Sequence, residues 1–119
     1  MSRNYTSFFE SISVTSITAG AGADVVFTIP ANHDAEIEFM SVSSGLGTNG
    51  ISIEVFNADN SDYTYILRDL TMTANTYERV ITSATIHLHA GDKVVAYKGA
   101  GTFDVSISGK LFYNPVRTI

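Results

Sequence analysis

His87 and His89 stand two residues apart, and Asp92 follows three positions later. Imidazole nitrogens and a carboxylate are the ligand types of zinc and of other borderline divalent ions. In an extended strand, residues two apart project to the same face, so the two rings can reach one ion while Leu88 faces the other way. Two ligands do not close such a site. No histidine follows His89, and the third ligand would have to be His33, from a turn far earlier in the chain. The competing reading is a strand end, "IHLH", a turn, "AGD", and a returning strand, "KVVAY", with both rings on an outward face. That reading fits the spacing better, so no metal centre and no cofactor is expected; His87, His89 and His33 are the candidate ligands if there is one.

Other side chains with chemical potential are more weakly arranged. Asp59, Asn60 and Asp62 in "NADNSD" could offer oxygens to calcium, but the glycine and the distal bidentate glutamate of a calcium loop are missing. Asn, Asp and Ser are also the residues a tight turn needs. Glu36 and Glu38 share one face of a strand, where solvated acids are the rule. No serine lies in an activated G-x-S-x-G setting. "GLGTNG" precedes a strand and not a helix, so it fails as a dinucleotide loop. Tyr63, Tyr65, Tyr77, Tyr97 and Tyr113 could form a sugar platform, although the chain lacks Trp. The sequence therefore offers no catalytic set, and an enzyme is not expected.

The elements that carry these residues read as strands. "TFDVSISGKLFY" alternates Phe103, Val105, Ile107, Gly109, Leu111 and Tyr113 against Asp104, Ser106, Ser108 and Lys110, with Gly109 marking a bend or bulge. "DAEIEF" sets Ala35, Ile37 and Phe39 inward and Glu36 and Glu38 outward, and the phase blurs before Val42, which suggests a bulge there. "ISIEVFN" opposes Ile51, Ile53 and Val55 to Ser52 and Glu54. "DYTYIL" puts Tyr63, Tyr65 and Leu67 on one face. "KVVAYK" is apolar on both faces, as in a strand covered on both sides, and "DVVFTIP" is similar up to Pro30. "RDLTMTANTYERVI" is the only helical candidate, and its β-branched content favours a loop and a strand.

Turn signals such as Pro30-Ala31-Asn32, Ala90-Gly91-Asp92 and Gly99-Ala100-Gly101 separate these runs. The spacing predicts about eight antiparallel strands in one β-sandwich domain over residues 1–119, either a jelly roll or another Greek-key sandwich. Residues 1–10 form an N-terminal arm or a first strand. Phe8 and Phe9 there, like "NPVRTI" at the other end, need something to pack on.

The bulk numbers agree. The 119 residues suit one domain. There is no cysteine, so disulfides and thiolate chemistry are excluded. The net charge of −5 comes without any basic run, which argues against nucleic acid and against an anionic membrane. Charged residues are 16%, low beside the usual quarter, and Ser plus Thr make up roughly a fifth. No secretory signal or membrane span is visible.

Two segments resemble known families. An H-x-H pair on a strand is similar to what metal-binding cupins use, but the following glutamate and the later third histidine of those proteins are missing here. "FTIPANHDAEIEFMSVSS" (27–44) and "IHLHAGDKVVAYKGAGTFDVSISG" (86–109) resemble small β-sandwich virion proteins of tailed bacteriophages, and the likeness spans most of residues 25–112. It implies a capsid decoration (cement) protein, or a tail or fibre component that joins tail parts or binds glycan. It also implies a homotrimer or larger ring, location in the virion after assembly in the host cytoplasm, and the major capsid protein or another virion protein as partner. It implies no catalytic residue. Phe8, Phe9, Tyr63 and Tyr65 are the candidate interaction residues.

Overall fold

The computed structural model describes residues 4–81 and 85–115. Ten strands are present among them: β1 Tyr5–Val14, β2 Asp24–Thr28, β3 His33–Ser44, β4 Thr48–Asn57, β5 Asp62–Met72, β6 Thr76–Ile81, β7 Ile86–His89, β8 Lys93–Tyr97, β9 Ala100–Gly101 and β10 Phe103–Tyr113. A short 3-10 turn, Gly20–Gly22, is the one helical piece described. The order in the first sheet is β1-β10-β3-β6, with β7 also on β3. In the second it is β2-β8-β4-β5, with β9 also on β4.

Ten strands occupy eight positions. β6 pairs with the C-terminal half of β3 and β7 with its N-terminal half, so together they make one interrupted strand. β8 and β9 divide β4 in the same way. Numbered by position, the first pairs with the eighth, the second with the seventh, the third with the sixth and the fourth with the fifth, all antiparallel. That is a hairpin rolled up on itself, the jelly roll. The expected count of eight thus describes the positions, and the two further strands come from the interruptions.

The core lies between the sheets. Val14, Ile37, Met40, Val42, Ile51, Ile53, Val94, Phe103, Val105 and Ile107 are fully enclosed there. Period-two alternation selects most of them, as β-branched residues on a pleated surface should. Residues 5–14 form the edge strand β1, so of the two alternatives for the N-terminus they take the strand. Phe8 turns inward and stacks on Phe27 at 4.7 Å, while Phe9 faces out.

Two bulges and the end of the core correct the placing of Phe39, Leu67 and Tyr113. Ser108 of β10 opposes Phe39, but Gly109 opposes Ile37, so Glu38 is extra. This bulge is additional to the irregularity expected between Met40 and Val42, where β3 shifts register against β6 between Met40 and Ser41. It turns Phe39 outward beside Ser108 and hands its place in the core to Met40. In β5, Glu54 opposes Tyr65 while Ile53 opposes Leu67, so Leu67 leaves the face of Tyr63 and Tyr65 and packs on the core with Ile66. Tyr113 lies beyond the end of the core, 66% exposed, against the His33 ring. Gly109 is required at the first bulge: a Cβ there would collide with the carbonyl oxygen of Glu36.

Candidate functional site

The outer face of the first sheet is built in rows that follow from register. Tyr5, Phe112, Asp34 and His89 form one row across β1, β10, β3 and β7; Ser7, Lys110, Glu36 and His87 form the next. Further along come Phe9, Ser108 and Phe39, then Ser11, Ser106 and Ser41, then Ser13, Asp104 and Ser43. Each charge in these rows has a neighbour. His89 Nδ1 stands 3.1 Å from Asp34 Oδ1, whose other oxygen accepts from Asn114 Nδ2 at 3.0 Å. His87 Nδ1 is 3.7 Å from Glu36. Lys110 Nζ reaches Glu38 at 3.1 Å, and the hydrogen bond and charge of Glu38 raise the lysine above its ordinary value. Ser11 and Ser106 bond at 3.1 Å, and Ser13 donates to Asp104 at 2.6 Å. The surface is hydroxyl-rich, its carboxylates each hydrogen-bonded or beside a basic side chain, with Phe9 65% exposed near its edge.

The histidines sit where the alternation places them. Leu88 is buried, and His87 and His89 project outward. His89 is partnered by Asp34 of β3, and His87 by the Thr85 hydroxyl, 3.1 Å from its Nε2, with Glu36 of β3 3.7 Å from Nδ1; neither ring meets the other or His33. His33 neighbours Asp34 in β3 and therefore projects to the opposite face; its Nδ1 is 2.9 Å from the Ala31 carbonyl. Asp92 is not a ligand in waiting. It is buried, Oδ2 accepts from the His89 backbone N–H at 2.8 Å, and Oδ1 accepts from the Ala58 N–H at 2.9 Å. It closes the β7–β8 turn, where Gly91 takes φ +85°, and ties that turn to the β4–β5 loop. Among the described residues, no three His, Asp or Glu side chains come together to hold one ion.

The loop "NADNSD" behaves as a turn. Asn57 Oδ1 accepts from the Asp59 N–H at 2.9 Å, Asp62 Oδ1 from the Tyr63 N–H at 3.2 Å, and Ser61 takes φ +55°.

The outer face of the second sheet is different. Ser52, Glu54 and Val95 belong to it by register, yet all three are buried. Residues 15–23, the link from β1 to β2, lie across this face. The Gly20 N–H donates to Glu54 Oε1 at 3.0 Å, and the Lys98 N–H donates to the Ser16 carbonyl at 3.0 Å. Asp24 Oδ2 holds the start of the link through the N–H groups of Thr15 and Ser16, at 2.8 and 3.0 Å. From the β5 side, the Asp69 N–H donates to Ser52 Oγ at 3.1 Å.

Beside this strap lies an aromatic group. The Tyr65 and Tyr97 hydroxyls are 2.6 Å apart, Arg68 sits 4.5 Å over the Tyr65 ring, and Tyr63 packs on Phe56 at 4.9 Å. The hydrogen bond with Tyr97 raises the Tyr65 phenol above its ordinary value; desolvation and the charges of Tyr97 and Glu54 add to this, and Arg68 opposes it. Tyr97 pairs across to Ser52, and Tyr65 to Glu54, so register assembles the group. Tyr77 and Tyr113 belong to the other sheet and do not join it. The partnership of Tyr65 with Tyr97 was legible in principle, because both alternate outward, but only strand order brings β5 and β8 to either side of β4.

A surface hollow of about 420 Å³ runs along the seam between β7 and the β4–β5 hairpin and is lined by Val55, Thr64, Ile66, Ile86, Leu88 and Asp92 among others. No family model, curated protein or solved structure matches the chain.

Proposed function

We propose that the chain is a structural protein of a tailed-bacteriophage virion, a capsid decoration protein that binds and stabilises the major capsid lattice. The observation that carries this reading is the outer face of the first sheet: a broad hydroxyl surface whose carboxylates have local partners, on a jelly roll, with an exposed Phe9 at its margin. Such a face suits repeated contact with a large neighbour. The jelly roll itself serves capsid proteins, lectins and cupins alike, so the fold supports the reading without selecting it. The resemblance of residues 27–44 and 86–109 favours the virion role among them. Virion particles lacking the protein, mixed with the purified chain, test the idea. The chain is expected to sediment with the particles to saturation and to raise their heat resistance. A chain that stays in the supernatant contradicts it.

A second reading within the virion has its own observation. Tyr65, Tyr97 and Arg68 offer two hydroxyls, an aromatic ring and a guanidinium on one patch, a fair surface for a glycan in a tail or fibre component. A cryo-EM map of intact particles separates the two by placing the chain on shell or tail. A cupin-like metal role is not proposed, because His87 and His89 face outward from the roll and Asp92 is occupied by backbone.

A further inference from the structure

We propose that β1 is a self-pairing edge, through which two copies of this chain join their first sheets about a two-fold axis at Phe9. A strand at a sheet edge presents unpaired N–H and C=O groups and is a template for another strand unless something blunts it. The other edges here are blunted. β2 has five residues, a register shift between Val25 and Phe27, and Pro30 just beyond its end. β5 shifts register against β4 three times and carries Asp69 at φ +56°. β6 is short and bears Glu78 and Arg79, and β7 has four residues.

β1 lacks the short length, the register shifts, the proline and the left-handed residue of these edges, and its one protecting feature is Glu10 on the inward side. It runs ten residues in unbroken register with β10, with neither Pro nor Lys and with Glu10 as its single charge. Among the described residues, no strand pairs with its other edge.

The occupant follows from the strand's own sequence. Its outward residues are Tyr5, Ser7, Phe9, Ser11 and Ser13, nearly a palindrome about Phe9. Antiparallel pairing with a second copy, axis at Phe9, sets Phe9 against Phe9, Ser7 against Ser11, and Tyr5 against Ser13. On the inward side Glu10 falls opposite Phe8. An axis at Glu10 would oppose two carboxylates, which is unfavourable. An axis between residues would set outward side chains against inward ones and break the pleat. The Phe9 register thus covers the exposed ring and creates no like-charge pair. It makes an isologous contact of the commonest symmetry. The contact covers the Phe9 ring that the virion reading leaves exposed and joins two copies where the resemblance implies three, so it is argued from β1 alone, and solution mass and particle binding can fail separately.

The test is the solution mass by light scattering at roughly 100 µM, where a contact of micromolar Kd is populated. The wild-type chain is expected at the mass of two copies. Phe9→Lys sets two ammonium groups face to face on the axis and is expected to weaken association about tenfold or more, with partial recovery in high salt. Because Phe9 is exposed, the variant should keep the wild-type circular dichroism. Tyr65→Lys on the other sheet is expected to leave the dimer intact. A wild-type mass of one or three chains overturns the proposal, as does a dimer that survives Phe9→Lys or dissolves in Tyr65→Lys.

Discussion

The two outer faces of the roll obey the same alternation and end in opposite states. On the second sheet, Ser52, Glu54 and Val95 are taken out of water by the link over residues 15–23. On the first sheet, the equivalent outward residues keep partial contact with water and meet side chains of the same face: Lys110 meets Glu38, Glu36 meets His87 and Ser106 meets Ser11. A strand's period says which side chains share a face. Whether that face is covered depends on where a connection runs. The covered face is committed to this chain's own stability, and the bare face stays open.

Mutations on the two sheets should break this comparison unequally. The largest effect is expected at Gly109→Ala, where the new methyl meets the Glu36 carbonyl inside the bare sheet: a loss of about 3 kcal/mol, seen as a lower urea midpoint at unchanged m-value. Asp92→Ala leaves the backbone N–H groups of His89 and Ala58 without their acceptor, and about 2 kcal/mol should go, with β7 loosening first in hydrogen exchange. Glu54→Ala removes the anchor of the strap and should cost about 1–2 kcal/mol; Glu36→Ala, its counterpart on the bare face, should stay within about 0.5 kcal/mol. Equal losses at Glu54 and Glu36 would erase the distinction between the faces.

Two smaller effects are read by pH. Tyr65 is held above its ordinary value chiefly by Tyr97, so Tyr97→Phe should bring the latest-titrating phenol in the ultraviolet titration to lower pH. Lys110 is raised in the fold by Glu38. Its contribution is therefore present below the ordinary lysine value and lost as pH rises through the folded value. Both groups are exposed and salt screens them, so Lys110→Ala should differ from wild type only slightly, and less still in high salt.

The sequence showed the strands, most of the core and the outward direction of His87 and His89, because period-two patterning carries that information locally. It also anticipated that Val94–Ala96 is covered on both faces. The bulges at Glu38 and Ile66 were harder to read. Phe39 and Leu67 are as apolar as Met40 and Ile66, so hydrophobicity alone gives no reason to slip the phase there. Asp92 looked like a possible ligand because a carboxylate that caps a turn and one that binds an ion have the same letter; only its two backbone donors distinguish them. The strap was invisible for another reason. Nothing in "TSITAGAGA" says which strand it crosses, and Glu54 lies 34 positions from Gly20.

Hydroxyl-radical footprinting, comparing the free chain at low concentration with the assembled protein, tests the bare-face account most directly. Protection is expected at Phe9 and Phe39 on the first sheet, with Tyr63 and Tyr65 labelled equally in both states. Protection of Tyr63 and Tyr65 with Phe9 left reactive would contradict it.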